Sequence, residues 1–159
     1  MNYYYLTLQI IVTAYAFIAG GGPERVGAAG YAVAVAATHL ILETHVGRWK
    51  SVEYGVFLVD VLLFIFFAIL TVRANRFWPI WVSALLGLGV LGHLARWAGP
   101  HVIWWAYAVI LSIWSYPILL IIALGTWNHR RRLVRNGADI SWSISFARSA
   151  PQPRSGPTA

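Results

Sequence analysis

The sequence predicts an all-α integral membrane protein, a compact bundle of five transmembrane helices with its N-terminus outside and its C-terminus in the cytoplasm. Charged residues make up only 11% of the chain, whereas a soluble domain carries about 25%. The charges are separated by long apolar stretches, which are typical of segments in contact with lipid. The third observation is the uneven distribution of positive charge, which also predicts the orientation.

Five apolar stretches define the predicted spans, and together they form a bundle over residues 1–136. The first ends in a Gly-Gly-Gly-Pro sequence and lacks a positively charged N-terminal region, so we interpret it as a retained span and not as a signal peptide. The apolar part of the second would measure about 25 Å at about 1.5 Å per residue, which is short for a bilayer of about 30 Å. The spans lie at about residues 3–19, 25–43, 53–72, 77–96 and 102–127.

Prolines and glycines punctuate the later spans. Pro79 falls in the first turn of the fourth, where its missing N–H does no harm. Pro117 lies inside the fifth and predicts a bend, because proline removes a backbone hydrogen bond. Gly137 is predicted to end the last helix and to begin a cytoplasmic tail over residues 137–159.

Two patterns divide that tail. Apolar residues alternate with serines over residues 140–146, which indicates an extended segment with one apolar face. This segment could lie on the membrane surface or dock on a partner. From Pro151 onward the Pro, Ser and Gly content predicts disorder.

Basic residues support the predicted orientation. With five spans and the tail inside, nine of the twelve Lys and Arg residues face the cytoplasm and three face outward, in agreement with the positive-inside rule. The tail cluster is interpreted as a contact for anionic lipid and not for nucleic acid. The location predicted is a bacterial inner membrane. The predicted lipid-contacting residues are Arg130, Arg131, Arg132 and Arg135.

Tryptophan is unusually frequent, with nine residues, and its positions agree with this topology. Indole rings prefer the two membrane–water interfaces. We expect Trp78, Trp81 and Trp127 at the inner interface, and Trp49, Trp97, Trp104 and Trp105 at the outer one.

Asp60 interrupts the third span and calls for a partner, because a carboxylate in hydrocarbon costs a few kcal/mol. His39 and His93 lie at a similar predicted depth in the second and fourth spans. Each shares a helical face with a charged neighbour, Glu43 or Arg96, three or four residues further on. We therefore predict a polar cluster in the outer half of the bundle.

Three interpretations of this cluster remain open. The favoured one is structural: His39 bonds Asp60, and His93 bonds a backbone carbonyl. Alternatively, His39 and His93 bind haem b axially or hold a divalent metal, although neither cofactor is favoured. In the third interpretation Asp60 is the centre of a proton or small-solute path.

The sequence contains no catalytic motif and no cysteine, and we expect no enzymatic activity. An aromatic stripe at residues 104, 107 and 114 is either packing or a wall for a flat ligand: Trp104, Tyr107, Trp114. The leading functional expectation is an accessory or assembly subunit, with a membrane-protein partner or a second copy, or a protein that binds a small hydrophobic ligand. The alternatives are an electron-transfer protein and a proton-coupled carrier.

Overall fold

The computed structural model describes residues 3–44, 54–99 and 113–137, together with residues 139 and 142. Almost all of these residues are helical, and within them the backbone forms one isolated antiparallel bridge, between Ala74 and Trp142. The predicted all-α class is confirmed for this part of the chain. The five helices are α1 (Tyr3–Ala19), α2 (Gly22–Thr44), α3 (Tyr54–Arg73), α4 (Trp78–Ala98) and α5 (Ser115–Asn136).

Three helices, α2, α3 and α4, are long and apolar enough to cross a membrane. The sequence predicts a short second span because its apolar part begins only after Arg25. In the structure α2 begins at Gly22 and has 23 residues, which corresponds to about 34 Å. Helix α1 is apolar but has only 17 residues. The three long helices indicate a membrane protein.

Large apolar side chains on the outside of the bundle point the same way. On α3, Leu62 is 57% exposed and Val72 is 77% exposed, whereas Leu63 and Phe67 on the other face are buried. Soluble monomers rarely expose extended apolar surfaces. A helix that is apolar on both faces is instead typical of a membrane span.

The helices pack in a closed ring. Each helix packs on the next in the chain, α5 returns to pack beside α1, and α2 also reaches α5 across the ring. The first and last helices run parallel: the rings of Tyr5 and Tyr116 lie 5.5 Å apart near one end, and Gly21 lies against His129 near the other. The end at which α1, α3 and α5 finish and α2 and α4 begin is called the basic end below.

The middle of the ring is filled by apolar side chains that are almost completely buried, called the apolar layer below. Aromatic packing continues from this layer towards the basic end, where the ring of Phe67 lies 6.1 Å from that of Trp78 in an edge-on arrangement. The layer consists of Phe67, Val82, Leu119 and Ile122.

Trp78 is only 8% exposed, so its indole packs inside the bundle at the basic end and does not face outward. Its indole lies between two glycines, Gly27 and Gly125, at each of which an added Cβ would lie within 2.7 Å of the ring. Small residues permit this close approach of helices. Trp81 and Trp127 remain more than half exposed, as expected of interfacial tryptophans.

Two of the predicted proline and glycine positions are tested by the structure. Pro79 lies in the first turn of α4, and Gly137 caps α5 with φ 71°, in the left-handed region that favours glycine. Both predictions are confirmed. Pro117 is the third residue of α5, in the first turn, where helices tolerate proline, and the bend predicted at this residue stays a prediction. The start of the fifth predicted span, residues 102–112, lies outside the described residues.

Candidate functional site

Asp60 and His93 meet inside the bundle, away from the basic end. The Nε2 atom of His93 lies 2.9 Å from Oδ2 of Asp60. The imidazole side chain is 0% exposed and the carboxylate side chain 26% exposed. The sequence placed both residues in one cluster but expected His39 as the partner of Asp60. Helix α3 packs against both α2 and α4, and its Asp60 bonds the α4 histidine.

Aromatic rings surround this pair. The ring of Phe57, one turn from Asp60 on α3, lies 5.5 Å from the imidazole of His93. Trp97 lies 5.3 Å from Phe57 and 5.5 Å from Tyr54, and so covers the pair on the side of the α4 C-terminus. An apolar wall lowers the local dielectric constant and strengthens the interaction between the two polar groups.

The other members of the predicted cluster have separate positions. His39 is half-buried on α2, and no hydrogen bond joins its side chain to another described residue. Glu43 lies in the last turn of α2. Arg96 lies in the last turn of α4, where a cation interacts favourably with the helix dipole.

The positions of His39 and His93 give limited support to a cofactor held by both histidines. Nε2 of His93 is already held by Asp60, so axial binding of a haem iron through that atom would require the bond to break. Among the residues that the structure describes, no group of three or more His, Cys, Asp and Glu side chains is arranged to hold a metal ion. Haem and metal binding by His39 and His93 remain predictions.

The predicted aromatic wall cannot be assembled, since Trp104 and Tyr107 lie outside the described residues. Trp114 is the N-cap residue of α5. Nearby, a chain of hydrogen bonds ties three helices together: the Tyr5 and Tyr31 hydroxyls lie 3.1 Å apart, and Tyr31 donates to the Ser115 carbonyl at 3.4 Å.

A larger polar cluster, called the basic-end network, was not predicted. Its centre is Glu24, which is 0% exposed at the start of α2. The carboxylate accepts hydrogen bonds of 3.1 Å each from Arg76 Nε, from Trp78 Nε1 and from the Gly21 N–H. The α2 N-terminus also favours a negative charge there. The network consists of Glu24, Arg76, Trp78, His129, Arg132 and Asp139.

Asp139, three residues beyond the end of α5, completes the network. Arg76 donates to both carboxylate oxygens, at 3.1 Å from Nη1 and 2.8 Å from Nη2. His129 Nδ1 lies 2.6 Å from Oδ2 and Arg132 Nε lies 3.2 Å from it. Because an ionised carboxylate only accepts, the short contact places the Nδ1 proton of His129 towards Asp139.

The surroundings of Asp139 shift its titration. Burial opposes ionisation, but the hydrogen bonds from His129 and Arg132 and the charge of Arg76 outweigh it, so the pKa of the Asp139 carboxyl lies below its ordinary value. The tail is also held by Trp142, which pairs with Ala74 and whose indole lies where a Gly22 Cβ would be, within 3.0 Å.

Sequence reasoning missed this network because Glu24 and Arg76 were assigned to connecting loops and Asp139 to the tail. A usable signal was present. Glu24 and Asp139 are the only acidic residues on the predicted arginine-rich side, and both pair with arginine. The structure thus engages Arg132, predicted to contact lipid, with Asp139, whereas Arg130, Arg131 and Arg135 are exposed.

A shallow groove of about 580 Å³ lies between α3 and α4 on the outside of the bundle. Small residues, among them Ala68, Ala84 and Gly87, form part of its lining. The hydroxyl groups of Thr71 and Ser83 in the groove bond each other at 3.2 Å. The groove therefore offers shape but no charged group for a polar ligand.

These observations define the class, an all-α membrane protein with two separate polar clusters. No protein-family model matches the sequence, and no similar curated protein or solved structure was found.

Proposed function

We propose that this chain is a small multi-pass membrane protein without a catalytic centre, an accessory subunit whose functional element is a proton-binding pair, Asp60 and His93. The observation that carries the proposal is the 2.9 Å contact between a fully buried imidazole and a partly exposed carboxylate within two apolar helices. Ionisable residues inside membrane spans are rare and commonly mark sites where protons or ligands bind.

The pair can take up one proton without leaving an unpaired charge. When the imidazole is neutral and the carboxylate ionised, one negative charge is held by a hydrogen bond. Uptake of a proton removes the net charge of the pair, whether the proton resides on the imidazole or on the carboxyl group, and an apolar environment opposes an unbalanced charge. Because only the Asp60 side is exposed, the proton enters through the carboxylate.

Other titratable groups lie on the elements packed against α3. They are Glu24, Arg25, Tyr31, His39 and Glu43 on α2 and His93 and Arg96 on α4. Arg96 is one turn beyond His93 and adds a positive charge near this end of the bundle.

The apolar layer supports an accessory role over that of a carrier. Phe67, Val82, Leu119 and Ile122 separate the Asp60–His93 pair from the basic-end network, and each is at most 1% exposed. Apolar packing therefore lies between the two polar clusters along α3, α4 and α5. Proton binding at one end fits a subunit that responds to pH better than a path across the membrane.

The proposed topology has five crossings, the N-terminus outside and the basic end in the cytoplasm of a bacterial inner membrane. Exposed arginines gathered at the basic end support it: Arg25, Arg73, Arg130, Arg131 and Arg135. Because the chain lacks cysteine, single cysteines report sidedness. We expect Asn75→Cys to react only from the cytoplasmic side and Gly99→Cys only from the other. Reaction of both from one side would overturn the topology.

Infrared difference spectroscopy of the protein in lipid nanodiscs tests proton binding. We expect a pH-dependent carboxyl or imidazole band that is absent in both Asp60→Asn and His93→Gln, with the helical circular dichroism unchanged. Asp139→Asn is the matched control, since it removes a carboxylate at the other end and should retain the band. A spectrum that is the same in Asp60→Asn and the unchanged protein would disprove the role of the pair.

Native mass spectrometry after gentle solubilisation tests the accessory role. We expect a complex of fixed stoichiometry that is heavier than the 17.7 kDa chain. A homogeneous monomer that still binds a proton would contradict the subunit role and leave the pair as an independent element.

A further inference from the structure

The carboxylate of Asp139 lies at the convergence of four hydrogen-bond donors. Three of them, Arg76 Nη2, His129 Nδ1 and Arg132 Nε, approach the same oxygen, Oδ2. The fourth, Arg76 Nη1, reaches Oδ1. A carboxylate offers about two acceptor sites per oxygen. Three donors therefore exceed the acceptor sites of Oδ2, whereas Oδ1 can accept a further hydrogen bond.

A larger anion fits these donors better than a carboxylate does. A phosphate group has three or four oxygens, over which the same donors can be distributed. The planar guanidinium of Arg76 already presents two parallel donors, and this fork suits phosphate as well as carboxylate. Arg132 and His129 approach from α5, and His129 Nδ1 lies 3.1 Å from Arg76 Nη2.

The site does not depend on Asp139 for its construction. Arg76 is held from behind by Glu24, which is fixed in turn by Trp78 and the Gly21 N–H. With Asp139 removed, Arg76 and Arg132 carry two positive charges against the single negative charge of Glu24. The remaining pocket is then positive and still positioned by the bundle.

We propose that Arg76, His129 and Arg132 form a phosphate-binding site, and that Asp139 occupies it as an intramolecular stand-in that a phosphate-bearing ligand displaces. This site is separate from the Asp60–His93 pair and does not require the accessory role proposed above.

The surroundings of the site favour the entry of anions. The Arg132 side chain is 43% exposed, compared with 3% for Arg76, and it marks the open side. Arg130, Arg131 and Arg135 are exposed nearby, and clustered positive charge raises the local concentration of anions. The phosphate could belong to an anionic lipid headgroup or be free in solution, since the chemistry is the same.

The tail is tethered in a way that permits release. Gly137, in the left-handed conformation, separates Asp139 from α5. Beyond Asp139, the described contacts of the tail are the single bridge to Ala74 and the indole of Trp142 on Gly22. Displacing Asp139 leaves Trp142 with only these two described contacts, and we expect them to be lost with it.

Titration calorimetry with inorganic phosphate, on the full chain in phosphatidylcholine nanodiscs, measures the site. We expect Asp139→Ala to bind phosphate at least about tenfold more tightly than the unchanged protein, because a tethered competitor acts at a high effective concentration. Adding Arg132→Gln to Asp139→Ala should weaken binding again. Equal affinity with and without Asp139, or binding that ignores Arg132→Gln, would overturn the proposal.

A second measurement uses the unchanged tail, in case Asp139→Ala does not fold. Bimane attached at Asn75→Cys lies beside Ala74 and should be quenched by Trp142, with Trp142→Phe as the control. If the site takes phosphate, phosphate should relieve the quenching. Nanodiscs that contain phosphatidic acid separate the sources: relief by the lipid identifies a headgroup, and relief by inorganic phosphate alone identifies a soluble ligand. Quenching unchanged by both would contradict the proposal.

Discussion

Both polar clusters of this protein hold carboxylates inside the bundle, but they lie at different positions along the helices and use different partners. The Asp60–His93 pair lies within the apolar helices and consists of one acid and one base. The basic-end network lies at the helix ends and combines two acids, two arginines, a histidine and an indole N–H. The pair can lose its charges by transfer of one proton, whereas the network keeps its charges and compensates them.

The difference shows how burial and position determine which groups are usable. Deep in the membrane, charge separation is expensive, so a pair that can neutralise itself is favoured. At the helix ends, backbone N–H groups and nearby water assist, and permanently charged arginine becomes usable. We therefore expect mutations in the network to affect stability, and mutations in the pair to affect proton binding.

The largest expected effect is that of Arg76→Gln. Glu24 would remain fully buried without its cation, and removal of one member of a buried ion pair costs about 3–5 kcal/mol. Thermal unfolding in detergent, followed by circular dichroism, should show a large loss of stability. Arg135→Gln is the control, because Arg135 is exposed at the end of α5; equal stability of the two variants would mean that the network does not hold the bundle together.

Alanine substitutions at two glycines compare the tightness of packing at the two ends of the bundle. An added Cβ at Gly125 would lie 2.7 Å from the Trp78 ring, while at Gly89, one turn before His93, it would meet nothing within 4 Å. Gly125→Ala should destabilise the protein by about 1–3 kcal/mol, and Gly89→Ala should be neutral or stabilising by up to about 1 kcal/mol. The same thermal melts measure both, and the reverse order would show that Trp78 is not tightly held.

Acidification should release the tail and leave the helices packed. The lowered pKa of Asp139 means that its contribution is present above the ordinary value of about 3.9 and is lost as the pH falls through the lower, folded value. Bimane at Asn75→Cys should therefore become brighter below about pH 4. The other titratable groups of the network are Glu24 and His129. Asp139→Asn should be bright at neutral pH, and strong quenching in this variant would contradict the role of the carboxylate.

The smallest effect on stability is expected for Asp60→Asn. Asparagine can still bond His93, so the unfolding free energy should change by about 1 kcal/mol or less, although the proton is no longer bound. A loss comparable to that of Arg76→Gln would remove the distinction between the two clusters.

The sequence predicted the helices because the length of an apolar stretch and the positions of proline and glycine are local properties of the chain. Gly137 and Pro79 act within one turn, and both were assigned correctly. The depth of Asp60 and His93 could also be counted along their helices, and the structure brings these two together.

The sequence could not predict in the same way which side chains pair, since pairing depends on the rotation of each helix about its axis. The sequence predicts a similar depth for His39 and His93, and only helix packing decides which of them faces Asp60. The inward orientation of Trp78 likewise depends on packing, since the space left by Gly27 and Gly125 admits its ring between the helices. The contact of Glu24 with Arg76 spans 52 residues, beyond the range of any local pattern.

The spacing of the basic-end network along the chain has a consequence for biogenesis. Glu24 is synthesised 52 residues before Arg76, and Arg76 is synthesised 63 residues before Asp139. At about 5–20 residues per second, the acid at the start of α2 waits several seconds for its cation, and the ring closes only after α5 has emerged. The nascent chain therefore carries an unpaired acid until Arg76 has emerged, and an open helix face until α5 has emerged. A chain stalled or truncated before residue 139 would therefore be a natural substrate for membrane quality control.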